Sequence, residues 1–139
     1  AAGANVDIGN KHGITPWYYA GCKESEAMMR VLVAASANVD IAEKNGHTAL
    51  HIAANWGREA TVRLLLAAGA NVDIGNKHGI TPWYYAGCKE SEAMMRVLVA
   101  ASANVDIAEK NGHTALHIAA NWGREATVRL LLAAGANVD

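Results

Sequence analysis

ANVDIAEKNGHTALHIAANWGREATVRLLLAAG, residues 37–69, decides the fold, because it returns without a change at residues 103–135. Before each copy stands a looser relative, ANVDIGNKHGITPWYYAGCKESEAMMRVLVAAS, at residues 4–36 and 70–102. Aligned without a gap, the two 33-residue forms agree at 15 positions. The 139-residue chain is therefore a series A-B-A-B, opening on the last three residues of a B form and closing on the first four of an A form. Self-similarity at a fixed period means that each unit buries its apolar face against its neighbours. The expectation is one solenoid over residues 1–139, with no central core.

Within B, residues 40–46 read as an extended turn, with Asn45-Gly46 the dipeptide that closes tight turns. Thr48 is placed as an N-cap, which predicts a helix over residues 49–56 that Gly57 stops. A second helix is expected over residues 59–67, with Val62, Leu65 and Leu66 as its buried stripe, and Gly69 ends it. Helices this short are marginal in water, so stacking must hold them.

These residues carry a resemblance. The chain resembles the ankyrin repeat family: Asn45-Gly46-His47-Thr48-Ala49-Leu50-His51 stands where that family has G-x-T-P-L-H, and Leu64-Leu65-Leu66-Ala67-Ala68-Gly69-Ala70 where it has LLL-x-x-GA. The resemblance covers the whole chain. It implies an all-α ankyrin-repeat solenoid: stacked L-shaped helix-turn-helix modules joined by β-hairpin-like fingers that project from one side. It also implies that His51 is structural, bonding across the Thr-x-x-His turn.

The A form departs from that pattern. Thr15-Pro16 keeps the helix start, Pro16 falling at the first helical position. Trp17-Tyr18-Tyr19 replaces the family's Leu-His-apolar step; Trp17 and Tyr19 are expected to pack inward, and Tyr18 to take the place of the bonded histidine. Glu24 and Ser36 stand where B has Gly57 and Gly69. A non-glycine residue at φ > 0 costs about 1 kcal/mol, so either those turns are re-routed or A is strained. Met28 and Met29 supply adaptable bulk where B has Thr61 and Val62. A is expected to be the weaker module, held on both sides by B.

Composition excludes several functions. Lys plus Arg total 12 and Asp plus Glu 13, a net −1 that gives no basic footprint for nucleic acid or an anionic membrane. Apolar runs such as residues 64–68 are far too short to cross a bilayer. Cys22 and Cys88 hold the same place two modules apart, about 20 Å at the usual helix spacing, beyond the reach of a disulfide. No signal peptide is visible and no Met opens the chain, which reads as a fragment or processed form. The expected location is the cytoplasm or another reducing compartment.

No constellation amounts to a catalytic site. His47 and His51, repeated as His113 and His117, make an H-x-x-x-H, but His47 precedes the N-cap, so the pair shares no helix face and no third ligand stands nearby. Cys22 has no histidine close in sequence and no Cys-x-x-Cys partner. The glycines fall singly at junctions and form no phosphate cradle. The reading is of a protein that is not an enzyme and takes no metal, cofactor or small-molecule substrate.

Every residue equals the one 66 positions later. Surface positions drift because they are energetically near neutral, so perfect identity favours an engineered concatemer or a window of a longer periodic assembly over recent natural duplication. The outermost modules are ordinary ones rather than polar caps. Trp17, Leu32 and Val33 at one end, with Ile118, Val128 and Leu131 at the other, are candidates for head-to-tail stacking.

Two interaction readings follow: a scaffold that binds a protein through the concave face, or a module that polymerises end to end. By residue-for-residue resemblance, the contact candidates in the first pair of modules are Lys11, His12, Ile14, Cys22, Lys23, Lys44, Asn45, His47, Asn55 and Trp56. Their copies are Lys77, His78, Ile80, Cys88, Lys89, Lys110, Asn111, His113, Asn121 and Trp122. Trp56 is either an anchor for a partner or a brace against the Cys22-Lys23 turn.

Overall fold

In the computed structural model, residues 10–13, 16, 18–19, 26–35, 38–89 and 91–138 are described, and among them the chain forms seven α-helices and no strand. The first helices of the modules are α2 (Ala49–Asn55), α4 (Pro82–Cys88) and α6 (Ala115–Asn121). The second helices are α1 (Glu26–Ala34), α3 (Glu59–Ala67), α5 (Glu92–Ala100) and α7 (Glu125–Ala133). The first helices stack in one row, α2 on α4 and α4 on α6. Behind them runs the second row, α1 on α3 and α3 on α5, and the pairs α2–α3, α4–α5 and α6–α7 join the rows.

Local chemistry starts each first helix. Thr48 sits in extended backbone and its hydroxyl accepts the His51 N–H at 3.4 Å, while His51 Nδ1 accepts the Thr48 N–H at 3.1 Å. This is a capping box closed by a histidine, and Thr114 with His117 repeats it. In α4, Thr81 accepts the Tyr84 N–H at 3.3 Å, and Pro82 holds the first turn. Tyr84, the copy of Tyr18, thus takes the histidine's backbone role without closing the box. Helix α2 stops one residue earlier than expected, with Trp56 as its C-cap.

Each second helix carries one exposed Glu–Arg pair four residues apart, such as Glu59–Arg63 at 2.8 Å and Glu92–Arg96 at 2.6 Å. Such pairs are worth about 0.3–0.5 kcal/mol each. The opposite face matters more: burying one Leu or Val side chain contributes about 1.5–3 kcal/mol, and Val62 and Leu65 are fully buried. Leu66, expected in the same stripe, is only half-buried. The seam runs through Met29, Leu50, Leu65, Trp83, Met95, Leu98 and Leu131 rather than around a centre.

Outside the helices, backbone bonds tie each finger to the next. The Lys44 N–H donates to His12 O (2.9 Å), Lys77 to Asn45 O (3.0 Å) and Lys110 to His78 O (2.8 Å). Gly46, at φ 85°, permits the closest of these approaches, since a Cβ there would lie 2.7 Å from Lys77 N.

The chain settles the A-form turn question at one place. Ser102 keeps φ 66°, close to the left-handed geometry of Gly69 (90°) and Gly135 (91°) in the B forms. The turn is strained rather than re-routed; its copy Ser36, and both Glu24 and Glu90, lie outside the described residues. Ser102→Gly is expected to raise stability by about 0.5 kcal/mol, the relief of φ strain less the added freedom of the unfolded chain. A urea midpoint at or below that of the parent chain would contradict this.

Three expectations need correction. Tyr19 does not pack inward but is 47% exposed, whereas its copy Tyr85 is half-buried against His47 of the preceding module. Leu131 and Leu32 do not face outward, since both are buried against their own neighbours. Leu132, beside Leu131 on α7, is 44% exposed. Trp17 and the Val33 side chain lie outside the described residues.

Candidate protein-interaction surface

Helix α2 ends at Trp56, whose N–H still reaches Ile52 O at 3.0 Å, and Gly57 at φ 70° then turns the chain away. That stop leaves the indole 63% exposed, with the Arg58 guanidinium 5.8 Å from the ring centroid. The second copy repeats this closely: Trp122 is 64% exposed and Arg124 lies 5.0 Å from its centroid. An exposed cation–π contact is worth about 0.5–1 kcal/mol, enough to bias the ring's orientation and no more. Bracing a neighbouring turn would require a covered ring, and neither ring is covered. Two modules separate the pairs by about 20 Å.

The surrounding candidates fall into distinct groups. Lys11, His12, Lys44, Asn45, Lys77, His78, Lys110 and Asn111 are exposed on the finger turns, as are Lys89 and Asn121 at the helix ends. Asn55 is half-buried. Cys88 is half-buried too, and burial pushes its thiol above the ordinary value despite Arg124 and Lys89 nearby, the opposite of nucleophile activation. Ile14, Cys22 and Lys23 lie outside the described residues.

His47 and Ile80 are engaged in a junction between modules. His47 Nδ1 stands 3.1 Å from Glu43 Oε1; a carboxylate only accepts, so the nitrogen donates. In the neutral ring Nε2 then accepts, from the Tyr85 hydroxyl and the Asn76 amide, each at 3.1 Å. Beneath it, His51 Nε2 donates to Ile80 O at 2.8 Å, and its Nδ1 accepts from Thr48. Burial is the main reason that the His51 pKa falls to about 4. Both nitrogens of each ring are thus spent on protein groups. Among the described residues no cluster of three His, Cys, Asp or Glu is placed to hold a metal, and no helix is long and apolar enough to cross a membrane.

Sequence reasoning passed over Asn76, Tyr85 and Glu43. A signal existed: at the same two module positions A has Asn10 and Tyr19, whereas B has Glu43 and Ile52. Those paired differences mark a contact that alternates along the stack.

The last module shows what a neighbour covers. Leu50, His51, Ile52, Ala54 and Val62 are buried, whereas their copies Leu116, Ile118 and Val128 are half-buried, and His117 and Ala120 are exposed. A groove of ≈ 240 Å³ opens there between Leu116, His117, Ala120 and Val138.

The family model described as ankyrin repeats (three copies) matches the chain twice, over residues 2–76 and 68–139. No curated protein matches it. Left-handed turns after α3, α5 and α7, stacked helix pairs and two matches that together span nearly every residue agree, and the chain belongs to the ankyrin repeat family.

Proposed function

We propose that this chain is a non-catalytic scaffold that binds a protein partner through the face carrying Trp56 and Trp122. Ankyrin repeats generally mediate protein–protein interaction. One observation carries the finer reading: two large indoles, each beside an arginine, stand more than 60% exposed at the ends of first helices. Trp and Arg dominate binding hot spots because they combine a large apolar area with directional donors. Exact 66-residue identity supports a deliberately repeated array, one that presents the same anchor twice in one register.

The test is selection of binders from a displayed library of small folded domains on the 139-residue chain. Binders that bridge both anchors are expected to weaken at least about tenfold for Trp56→Ala or Trp122→Ala, a loss of about 1.4 kcal/mol or more. Binders indifferent to both substitutions would place the interaction elsewhere.

A second reading has its own support. The half-buried Ile118 and Val128 lie on a face that another module would cover, which favours head-to-tail stacking of copies.

A further inference from the structure

We propose that the open face carrying His113 and His117 accepts the edge formed by Asn10, Lys11 and Tyr19 of a second copy of this chain. The contact reproduces the junction found inside the chain between residues 37–69 and 70–102. It rests on the head-to-tail reading and supplies its chemistry.

The internal junction is the template. There Lys77 N donates to Asn45 O at 3.0 Å and Lys77 Nζ to Asn45 Oδ1 at 2.9 Å. Asn76 and Tyr85 meet His47 Nε2 at 3.1 Å, and α4 covers His51. Because every residue recurs 66 positions on, Asn111, His113 and His117 present the Asn45 side of that junction, and Asn10, Lys11 and Tyr19 present the Lys77 side. All six are exposed.

His113 keeps its Glu109 contact at 3.2 Å and His117 its Thr114 contact at 2.8 Å, both within their own module. Tyr19 meets the Tyr18 ring edge-on and stands 3.5 Å from Asn10 Nδ2, longer than an ordinary hydrogen bond. The groove beside His117 is the surface that α4 fills one B module earlier, where Leu50, His51 and Ala54 are buried.

Like faces do not match. Two histidine faces brought together lack the Tyr19 phenol and the Lys11 ammonium, and two Asn10 edges lack His113 and His117. The contact is therefore heterologous, and repeating it extends a row of copies instead of closing a pair.

Two blocked chains test this: Tyr19→Asp spoils one edge, His117→Asp the opposite face, and both changes fall on exposed side chains. Mass is followed by light scattering from low to high micromolar concentration, with circular dichroism confirming the fold. The parent chain is expected to grow past two copies, each blocked chain to stay single, and an equal mixture of the two to stop at two copies. In addition, Tyr19→Phe weakens association about tenfold by removing one hydroxyl. A parent chain that stays single at every concentration overturns the head-to-tail reading and this contact together. Growth that persists in both blocked chains, or blocked chains that fail to pair while the parent grows, overturns this contact alone.

Discussion

Lowering the pH from 7 to 4 is expected to remove about 3 kcal/mol of folding stability through His51 alone. The pKa of this ring falls from 6.5 to about 4 on folding, mainly because burial penalises the charged form. The geometry adds a second reason. Nε2 already donates to Ile80 O, so a further proton must go on Nδ1, where it would confront the Thr48 N–H that this nitrogen accepts. Between the two pKa values the unfolded chain binds the proton and the folded chain does not, so stability falls with pH across that window. Above 6.5 neither state is charged and the effect vanishes; below about 4 both are charged and no more is lost through this group. At 1.36 kcal/mol per pKa unit the span is about 3 kcal/mol. Glu109, whose carboxyl the His113 N–H holds below its ordinary value, adds in the same direction at the acid end. The measurement is a series of urea midpoints from pH 7.5 to 3.5 on the parent chain, His51→Gln and His117→Gln. The slope should flatten in His51→Gln and persist in His117→Gln, which keeps His51. An unaltered slope in His51→Gln would sink the assignment.

The same pair of histidines shows how far the sequence was legible. Identical residues at identical module positions give a buried, bonded His51 and an exposed His117, because burial is conferred by the next module and not by the local motif. Period, helix limits and caps are local properties, and Thr48, Gly57 and Gly69 announced them. Which copy is covered is not local, and Leu131, expected on an outer face, is fully buried while its neighbour Leu132 is 44% exposed. The candidate site divides along the same line. Trp56 stood out as a large aromatic at a helix stop, and the structure leaves it exposed. His47 looked like a free finger residue, but Tyr85, 38 positions further along the chain, claims it. Only the alternation of Asn and Tyr with Glu and Ile between the two forms hinted at that pairing.

Trp83→Ala should be the most damaging single change in the described chain, costing about 3–5 kcal/mol. Trp83 is 1% exposed on α4, the helix that packs against α2 on one side and α6 on the other. A solenoid's stability is close to a sum of module and interface terms, so a cavity in α4 weakens two interfaces at once. Chemistry separates the ring's volume from its polarity. The buried indole Nε1 has no hydrogen-bond partner among the described residues, and an unmet buried donor costs about 1–3 kcal/mol. Trp83→Phe removes that donor along with part of the ring, so the two effects oppose and the net loss should be only about 1 kcal/mol. Urea unfolding of both variants decides the matter. A broadened transition in Trp83→Ala would show the stack parting at α4, and a loss in Trp83→Phe as large as that in Trp83→Ala would contradict the offset between lost volume and relieved donor. The consequence reaches the interaction surface, because Trp56 follows α2 and Trp122 follows α6. Only an intact α4 keeps the two anchors in one register, so Trp83→Ala should abolish any binding that needs both while sparing binding through either one.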